Sequence, residues 1–209
     1  MSLRSATMTF NGRASVVAPV AGLLLGFLDF VWIKFLPSPV AGLGNSIAVW
    51  AVAAFLLTYW GRWPLGRAVG AAVVMLVVAV PSYYVAAALI QGDDWANAWN
   101  VTAWLWMALG VVAGIVFGAG GVLARRPGWW RLPALGLPAA VLLAELILQL
   151  SRGRTPEFAG YALLLIVLAV LITVAVARTW RERGLALACA VPLAAVGYVL
   201  MSVTAFGGR

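Results

Sequence analysis

The sequence predicts an all-α polytopic membrane protein, a bundle of seven transmembrane helices whose N-terminus is cytoplasmic. Of its 209 residues, 65% are apolar and 10% are charged, and the mean hydropathy is +1.03. Soluble domains are roughly half apolar and a quarter charged. An apolar surplus from end to end leaves too little polar surface to face water, so lipid is the expected solvent. Residues 1–209 are therefore expected to form a single integral membrane domain.

Seven apolar runs are long enough to cross a hydrocarbon core, which takes about 20 helical residues. The breaks between them carry Pro, Gly, Arg or paired Asp, which interrupt apolar helices. In chain order these breaks are Pro37 with Pro39, residues 61–64, residues 92–94, residues 125–128, residues 151–156 and residues 181–184. The first run lacks a small-x-small cleavage site and is too long for a signal-peptide core, so it is expected to be retained. The predicted helices cover residues 16–36, 41–60, 66–90, 97–123, 132–150, 159–178 and 184–205.

Small residues recur at every fourth position on two of these helices. They are Ala18, Gly22 and Gly26 on the first predicted helix and Gly110, Gly114 and Gly118 on the fourth. Because small residues let helix backbones approach closely, both stripes predict contacts between helices within the chain.

Basic residues predict the orientation, because cytoplasmic loops carry an excess of Lys and Arg. With the N-terminus inside, ten of the 14 basic residues fall on the inner side and four on the outer side, while Asp93 and Asp94 fall outside. The same positions argue against nucleic acid as the partner that explains the net charge of +8. The arginines lie in short gaps between apolar runs, where membrane lipid is the expected partner.

Composition excludes several kinds of chemistry. The chain has no His and one Cys, Cys189. The usual metal ligands, the Ser-His and Cys-His nucleophile pairs and any internal disulfide are therefore missing. Neither a metal site nor a cofactor is expected.

Two acidic residues lie at membrane depth, where charged side chains are costly and are candidates for function. Asp29 is on the first predicted helix and Glu145 is on the fifth. Each lies about 5 Å outward from the centre of its helix, at 1.5 Å per residue. Because these two helices run in the same direction, both carboxyls are expected in one layer of the membrane.

Polar and aromatic residues of other helices map to the same outer layer. On the fourth predicted helix, Trp95, Trp99, Thr102 and Trp106 have the spacing of a single helical stripe. We predict a cavity in the outer leaflet that holds both carboxyls and is walled by indole and phenol rings. Its predicted substrate-binding residues are Trp32, Asn45, Tyr83, Tyr84, Trp99, Trp106 and Tyr198.

Such a cavity favours acid-initiated carbocation chemistry. Burial among apolar rings disfavours the charged form of a carboxyl, which is then protonated and able to donate. Aromatic faces attract cations, worth about 2 kcal/mol each when desolvated. Together they suit the cyclisation of a membrane-soluble isoprenoid through protonation of an alkene or epoxide. A reaction started by ionisation of a diphosphate needs an Asp-rich motif to hold magnesium, and Asp93-Asp94 is an isolated pair.

A small, cofactor-free chain with seven predicted helices and two intramembrane acids resembles the membrane-bound terpene cyclases of fungal meroterpenoid and bacterial drimentine-type indole pathways. The likeness rests on length, helix count and the pair Asp29 and Glu145. It implies metal-independent cyclisation with these acids as catalytic residues, although fungal members carry their acids on the second and last helices. Through Tyr83-Tyr84 and the Gly-rich end of the fourth helix, the chain also resembles actinobacterial multi-pass membrane proteins. That likeness places it in a bacterial cytoplasmic membrane, N-terminus in and C-terminus out.

Other interpretations of the same residues stay open. The chain could be the substrate-binding membrane component of a vitamin or other small-molecule transporter, which an outward-facing polar layer favours. It could also be a proton-coupled exporter that uses the acids to bind and release protons. Structural roles are the third alternative, since several tryptophans sit at helix ends as interfacial anchors. An intramembrane acid can also simply hydrogen-bond a neighbouring helix.

Overall fold

The computed structural model describes the backbone of residues 3–153 and 158–203, and the side chains from Ala14 onward except that of Asn45. Within these residues the chain is all-helical. Six α-helices are long and apolar enough to cross a membrane, and the helix that is shorter, α2, has 15 residues. The helices are α1 (Leu3–Phe35), α2 (Ile47–Gly61), α3 (Leu65–Gln91), α4 (Val101–Leu123), α5 (Arg131–Ser151), α6 (Phe158–Val176) and α7 (Trp180–Val203).

The six long helices turn apolar side chains outward. Leu28 on α1, Ile115 on α4 and Leu171 on α6 are about half exposed, which would be unfavourable in water. An all-round apolar helix that is not covered by protein is typical of a chain embedded in lipid. The exposed surface therefore supports the predicted membrane environment.

The helices form two compact units, each discontinuous in sequence. The first contains the described parts of Met1–Phe35 and Ala53–Val122, and the second contains those of Leu36–Val52 and Leu123–Arg209. Helix α2 contributes residues to both. The prediction of one integral membrane domain concerns how these units assemble, and it stays a prediction.

Close backbone contact between α1 and α3 organises the first unit. A Cβ atom at Gly26 would overlap the carbonyl oxygen of Ala79, and one at Gly22 would overlap that of Met75. On α4, a Cβ at Gly114 would lie 2.6 Å from the Cα of Val73 on α3. The predicted small-residue stripes are therefore confirmed as contact surfaces within the chain.

In the second unit α5 is the most buried of the membrane-length helices and packs against both α6 and α7. Its Gly136 lies so close to α7 that a Cβ would be 2.5 Å from the carbonyl oxygen of Ala186. Further along, a Cβ at Gly197 of α7 would meet the methyl group of Ala144 at 3.0 Å. Small side chains on both helices thus bring α5 and α7 together and place the inward face of α5 in the core.

The second predicted helix, residues 41–60, is not continuous. Residues Val40–Asn45 form a 3-10 turn, Ser46 is extended with φ −96° and ψ 115°, and α2 begins at Ile47. Gly42 and Gly44 fall in the turn, and glycine lowers the stability of an α-helix by about 1 kcal/mol relative to alanine. The break leaves the first amide groups of α2 without partners in their own helix.

The predicted stripe on the fourth helix is wrong for the same kind of reason. Trp95–Trp99 form a second 3-10 turn, which the side chain of Asp94 caps. Asn100 follows in an extended conformation, with φ −73° and ψ 171°, and α4 begins at Val101. Trp95 and Trp99 therefore do not continue the helical face that carries Trp106.

Replacing Gly26 by alanine is expected to destabilise the first unit. The added Cβ meets backbone atoms of α3 that cannot rotate away, and overpacking costs about 1–3 kcal/mol. The matched change Gly70→Ala has open space around its Cβ and is expected to stabilise α3 by about 0.5–1 kcal/mol. Unfolding in detergent micelles, followed by circular dichroism, measures both. Equal stability of the two variants would contradict the close contact between α1 and α3.

Candidate functional site

Asp29 lies on α1 among aromatic rings of the first unit and is 9% exposed. The adjacent Phe30 packs edge-on against Tyr83, with ring centroids 5.4 Å apart. Tyr83 packs edge-on against Tyr84 at 5.6 Å, and its hydroxyl is within electrostatic range of both Asp29 and Asp93. The structure thus brings one predicted acid together with two of the predicted aromatic residues.

The contact between α1 and α3 holds this group in place. Gly26 lies one turn before Asp29, and a Cβ there would be 2.9 Å from the amide nitrogen of Tyr83. One residue earlier on α3, the hydroxyl of Ser82 donates a hydrogen bond of 2.7 Å to the carbonyl of Leu23. Because both backbones are fixed at this level, Asp29 and Tyr83 have little freedom to separate.

A row of polar side chains links the ends of α1 and α3 beyond Asp29. The ammonium group of Lys34 donates to Gln91 at 3.0 Å. The amide of Gln91 in turn donates to the carboxylate of Asp93 at 3.4 Å. This end of the first unit is therefore polar, while the ring cluster around Asp29 is largely apolar.

Glu145 occupies a different environment, in the second unit. It lies on α5, is 4% exposed and accepts three hydrogen bonds. Ser46 donates through its hydroxyl at 2.8 Å and Ala48 through its backbone amide at 2.9 Å, both to Oε2. The hydroxyl of Tyr161, on α6, donates to Oε1. Glu145 therefore ties together three segments that are far apart in sequence.

The broken start of α2 explains two of these contacts. The hydroxyl oxygen of Ser46 accepts a hydrogen bond of 3.1 Å from the amide of Val49, which makes Ser46 the N-cap of α2. Its proton is then directed to Glu145. The amide of Ala48 belongs to the first turn, where amides have no acceptor within the helix. A carboxylate at this position also interacts favourably with the helix dipole.

Glycine in the preceding 3-10 turn makes room for the third donor. A Cβ at Gly42 would lie 2.9 Å from the Cδ2 atom of Tyr161, so the ring rests directly on the turn. Both contacts at Oε2 are donations to the carboxyl. A proton bound to Glu145 would therefore sit on Oε1, facing the oxygen of Tyr161.

The other predicted site residues are less enclosed. Trp32 is 41% exposed and Trp99 is 63% exposed, while Trp106 and Tyr198 are half-buried. The side chain of Asn45 lies outside the described part of the chain. Asp29 and Glu145 belong to different units, so a cavity that contains both stays a prediction. Within the described residues, no group of three or more His, Cys, Asp or Glu side chains could hold a metal ion.

Sequence reasoning missed Tyr161 and Ser46, although a signal for both was present. Tyr161 is near the outer end of the sixth predicted helix, and Ser46 is near the outer end of the second. The depth calculation that selected Glu145 would have placed both in the same layer. The break at Ser46, which turns its hydroxyl into a cap, has no clear sequence pattern.

Comparison with known proteins gives a family and no function. The model described as a family of unknown function, DUF6518, matches residues 6–206 of the chain. Neither a curated protein nor a solved structure matches the chain. Functional inference must therefore come from the residues themselves.

Removing the carboxyl of Glu145 is expected to cost much more stability than removing the hydroxyl of Tyr161. Glu145→Ala leaves three donors without their acceptor, and each unsatisfied buried group costs about 1–3 kcal/mol. Tyr161→Phe removes one hydrogen bond, worth about 1 kcal/mol. Chemical unfolding in detergent micelles measures both, with Ile147→Ala, partly exposed on the same helix, as the control. Similar losses for Glu145→Ala and Tyr161→Phe would show that Glu145 does not hold the start of α2.

Proposed function

The chain belongs to the DUF6518 family, and we propose that it is a membrane-bound terpene cyclase that protonates an alkene or epoxide of a lipid-soluble isoprenoid. The observation that carries this proposal is the environment of Asp29. Its carboxyl is 9% exposed and lies beside the rings of Phe30 and Tyr83, with Tyr84 next in the cluster. A proton donor and cation-stabilising rings are the two elements that such a reaction requires.

In the proposed reaction, Asp29 transfers its proton to the substrate and becomes a carboxylate. Protonation of an alkene leaves a carbocation, and protonation of an epoxide opens its C–O bond to a hydroxyl and a carbocation. Remaining double bonds attack this centre and form rings, and the last carbocation loses a proton that returns to Asp29. The faces of Tyr83 and Tyr84 stabilise the positive charge on the way. Neither a metal nor a cofactor takes part in these steps.

Glu145 has a positioning role in this proposal. Its three hydrogen bonds to Ser46, Ala48 and Tyr161 stabilise the start of α2 and leave the initiating proton to Asp29. The predicted assignment of both acids as catalytic residues is thereby divided between a donor and a support.

We further propose seven spans in a bacterial cytoplasmic membrane, N-terminus in and C-terminus out. The 15 residues of α2 extend about 22 Å at 1.5 Å per residue. The preceding 3-10 turn of six residues adds about 12 Å at 2.0 Å per residue. Together they match a hydrocarbon core of about 30 Å. The proposed partners are a hydrophobic small-molecule substrate, which reaches the site from the membrane, and the lipid itself.

Asp29→Asn is expected to abolish cyclisation, because an amide cannot supply the initiating proton. Loss of a general acid typically costs 10²–10⁴-fold in rate. The assay uses the purified protein in nanodiscs with farnesyl- and geranylgeranyl-bearing compounds and their terminal epoxides, and detects cyclic products by mass spectrometry. The control Asp94→Asn changes a loop carboxylate whose capping role asparagine retains. Turnover of Asp29→Asn at the wild-type rate would exclude Asp29 as the donor.

A second candidate function rests on Glu145. Broken membrane helices whose ends meet polar groups are typical of binding sites in transport proteins. The proton position between Glu145 and Tyr161 would let such a protein couple binding to protonation. The same incubation separates the two functions: cyclic product supports the cyclase, and unchanged compound retained by the purified protein supports a transport component.

A further inference from the structure

An open groove of about 470 Å³ lies in the first unit, where α2 ends and α3 begins. Its walls are apolar side chains of α1 and α2 together with two indole rings. One charged group, the guanidinium of Arg62, also lines it. The apolar and aromatic lining residues are Val17, Leu56, Leu57, Trp60 and Trp63.

The turn that carries Arg62 is held rigidly from below. Trp63 is 6% exposed and packs in a cluster with Ala14, Ala18 and Ala68. Gly61 is needed beside it, since a Cβ there would lie 2.8 Å from the Trp63 ring. The buried indole therefore determines the path of residues 61–64.

Arg62 pays for this path with an unfavourable backbone conformation. Its φ is 54°, and no other non-glycine residue in the described part of the chain has a positive φ. Such strain costs about 1–3 kcal/mol and tends to occur at ligand sites, where the surrounding structure maintains it. Nothing in the apolar groove requires arginine for packing, so a ligand contact is the natural reason for this residue.

The charges near the groove favour an anion. Residues 56–67 contain no Asp or Glu, and Arg67 is exposed on the first turn of α3. None of the described residues forms a hydrogen bond or an ion pair with the Arg62 guanidinium. By contrast, Arg131 pairs with Glu182 at 2.6 Å. A guanidinium with free donors binds phosphate oxygens in pairs.

We propose that this groove binds an anionic phospholipid, with the phosphate on Arg62 and one acyl chain along Val17, Leu56 and Leu57. The groove lies at the end of an apolar helix, which is the level of lipid headgroups. Trp60, 61% exposed, stands at its rim, as tryptophan does at membrane interfaces. The combination of one cation with an apolar channel fits a phospholipid better than free phosphate. This site is independent of the proposed cyclase reaction.

Lipid retention by the purified protein tests the proposal. The protein is reconstituted in nanodiscs that contain phosphatidylcholine and increasing fractions of phosphatidylglycerol, and native mass spectrometry counts the bound lipids. The wild type is expected to retain phosphatidylglycerol selectively. Arg62→Gln is expected to lose this preference about tenfold, the effect of losing one charge-assisted hydrogen bond, and Arg62→Lys is expected to keep part of it. Arg67→Gln, which changes a charge outside the groove, is expected to behave like the wild type.

Two further arms keep loss of folding and binding of free anions apart from the proposal. Arg62→Gly relieves the left-handed strain and is expected to be at least as stable as the wild type, yet to lose the lipid preference. Inorganic phosphate alone is not expected to displace the lipid, because it lacks an acyl chain. Full lipid preference in Arg62→Gln or Arg62→Gly, an equal loss in Arg67→Gln, or displacement by inorganic phosphate would overturn the proposal.

Discussion

The hydrogen bonds accepted by Glu145 are the interaction on which the start of α2 depends. Inside a membrane no water can satisfy the amides of a broken helix, and each unsatisfied group costs several kcal/mol. Ser46 and Ala48 both donate to one oxygen of this carboxyl. A chain with so few charged residues thus uses one of them to make an interrupted helix compatible with an apolar surrounding. Its burial reflects that role before any chemistry is considered.

The two intramembrane acids show how environment separates groups that sequence treats alike. Asp29 and Glu145 are carboxyls at similar depth, and sequence reasoning assigned both to catalysis. Around Glu145 the structure gathers hydroxyl and amide donors. Around Asp29 it gathers the rings of Phe30 and Tyr83. Donors hold a carboxyl in place, whereas ring faces stabilise cations, so the second environment is the better candidate for reaction.

The sequence could predict the long helices because length and hydropathy determine them almost alone, and the glycine stripes because small size is a local property. It could not predict the interruption at Ser46, since Gly42 and Gly44 are ordinary residues in membrane helices. The Trp95–Trp99 turn was missed because Asp94 and Asn100 compete with helix continuation through hydrogen bonds of their side chains. Tyr161 was missed because its role exists only through contacts with Gly42 and Glu145, which are distant in sequence.

The arginines illustrate the same limit for charge. Counting them predicts orientation, yet the count treats them as equivalent. Arg183 donates to the carbonyls of Ala177 and Val174, at the end of α6, where carbonyls have no partner within the helix. Arg131 likewise donates to the carbonyl of Ala124. These two guanidinium groups complete helix ends, so their position follows from backbone satisfaction as well as from membrane sidedness. Arg62 completes no helix end, which is why its strained backbone points to a partner outside the protein.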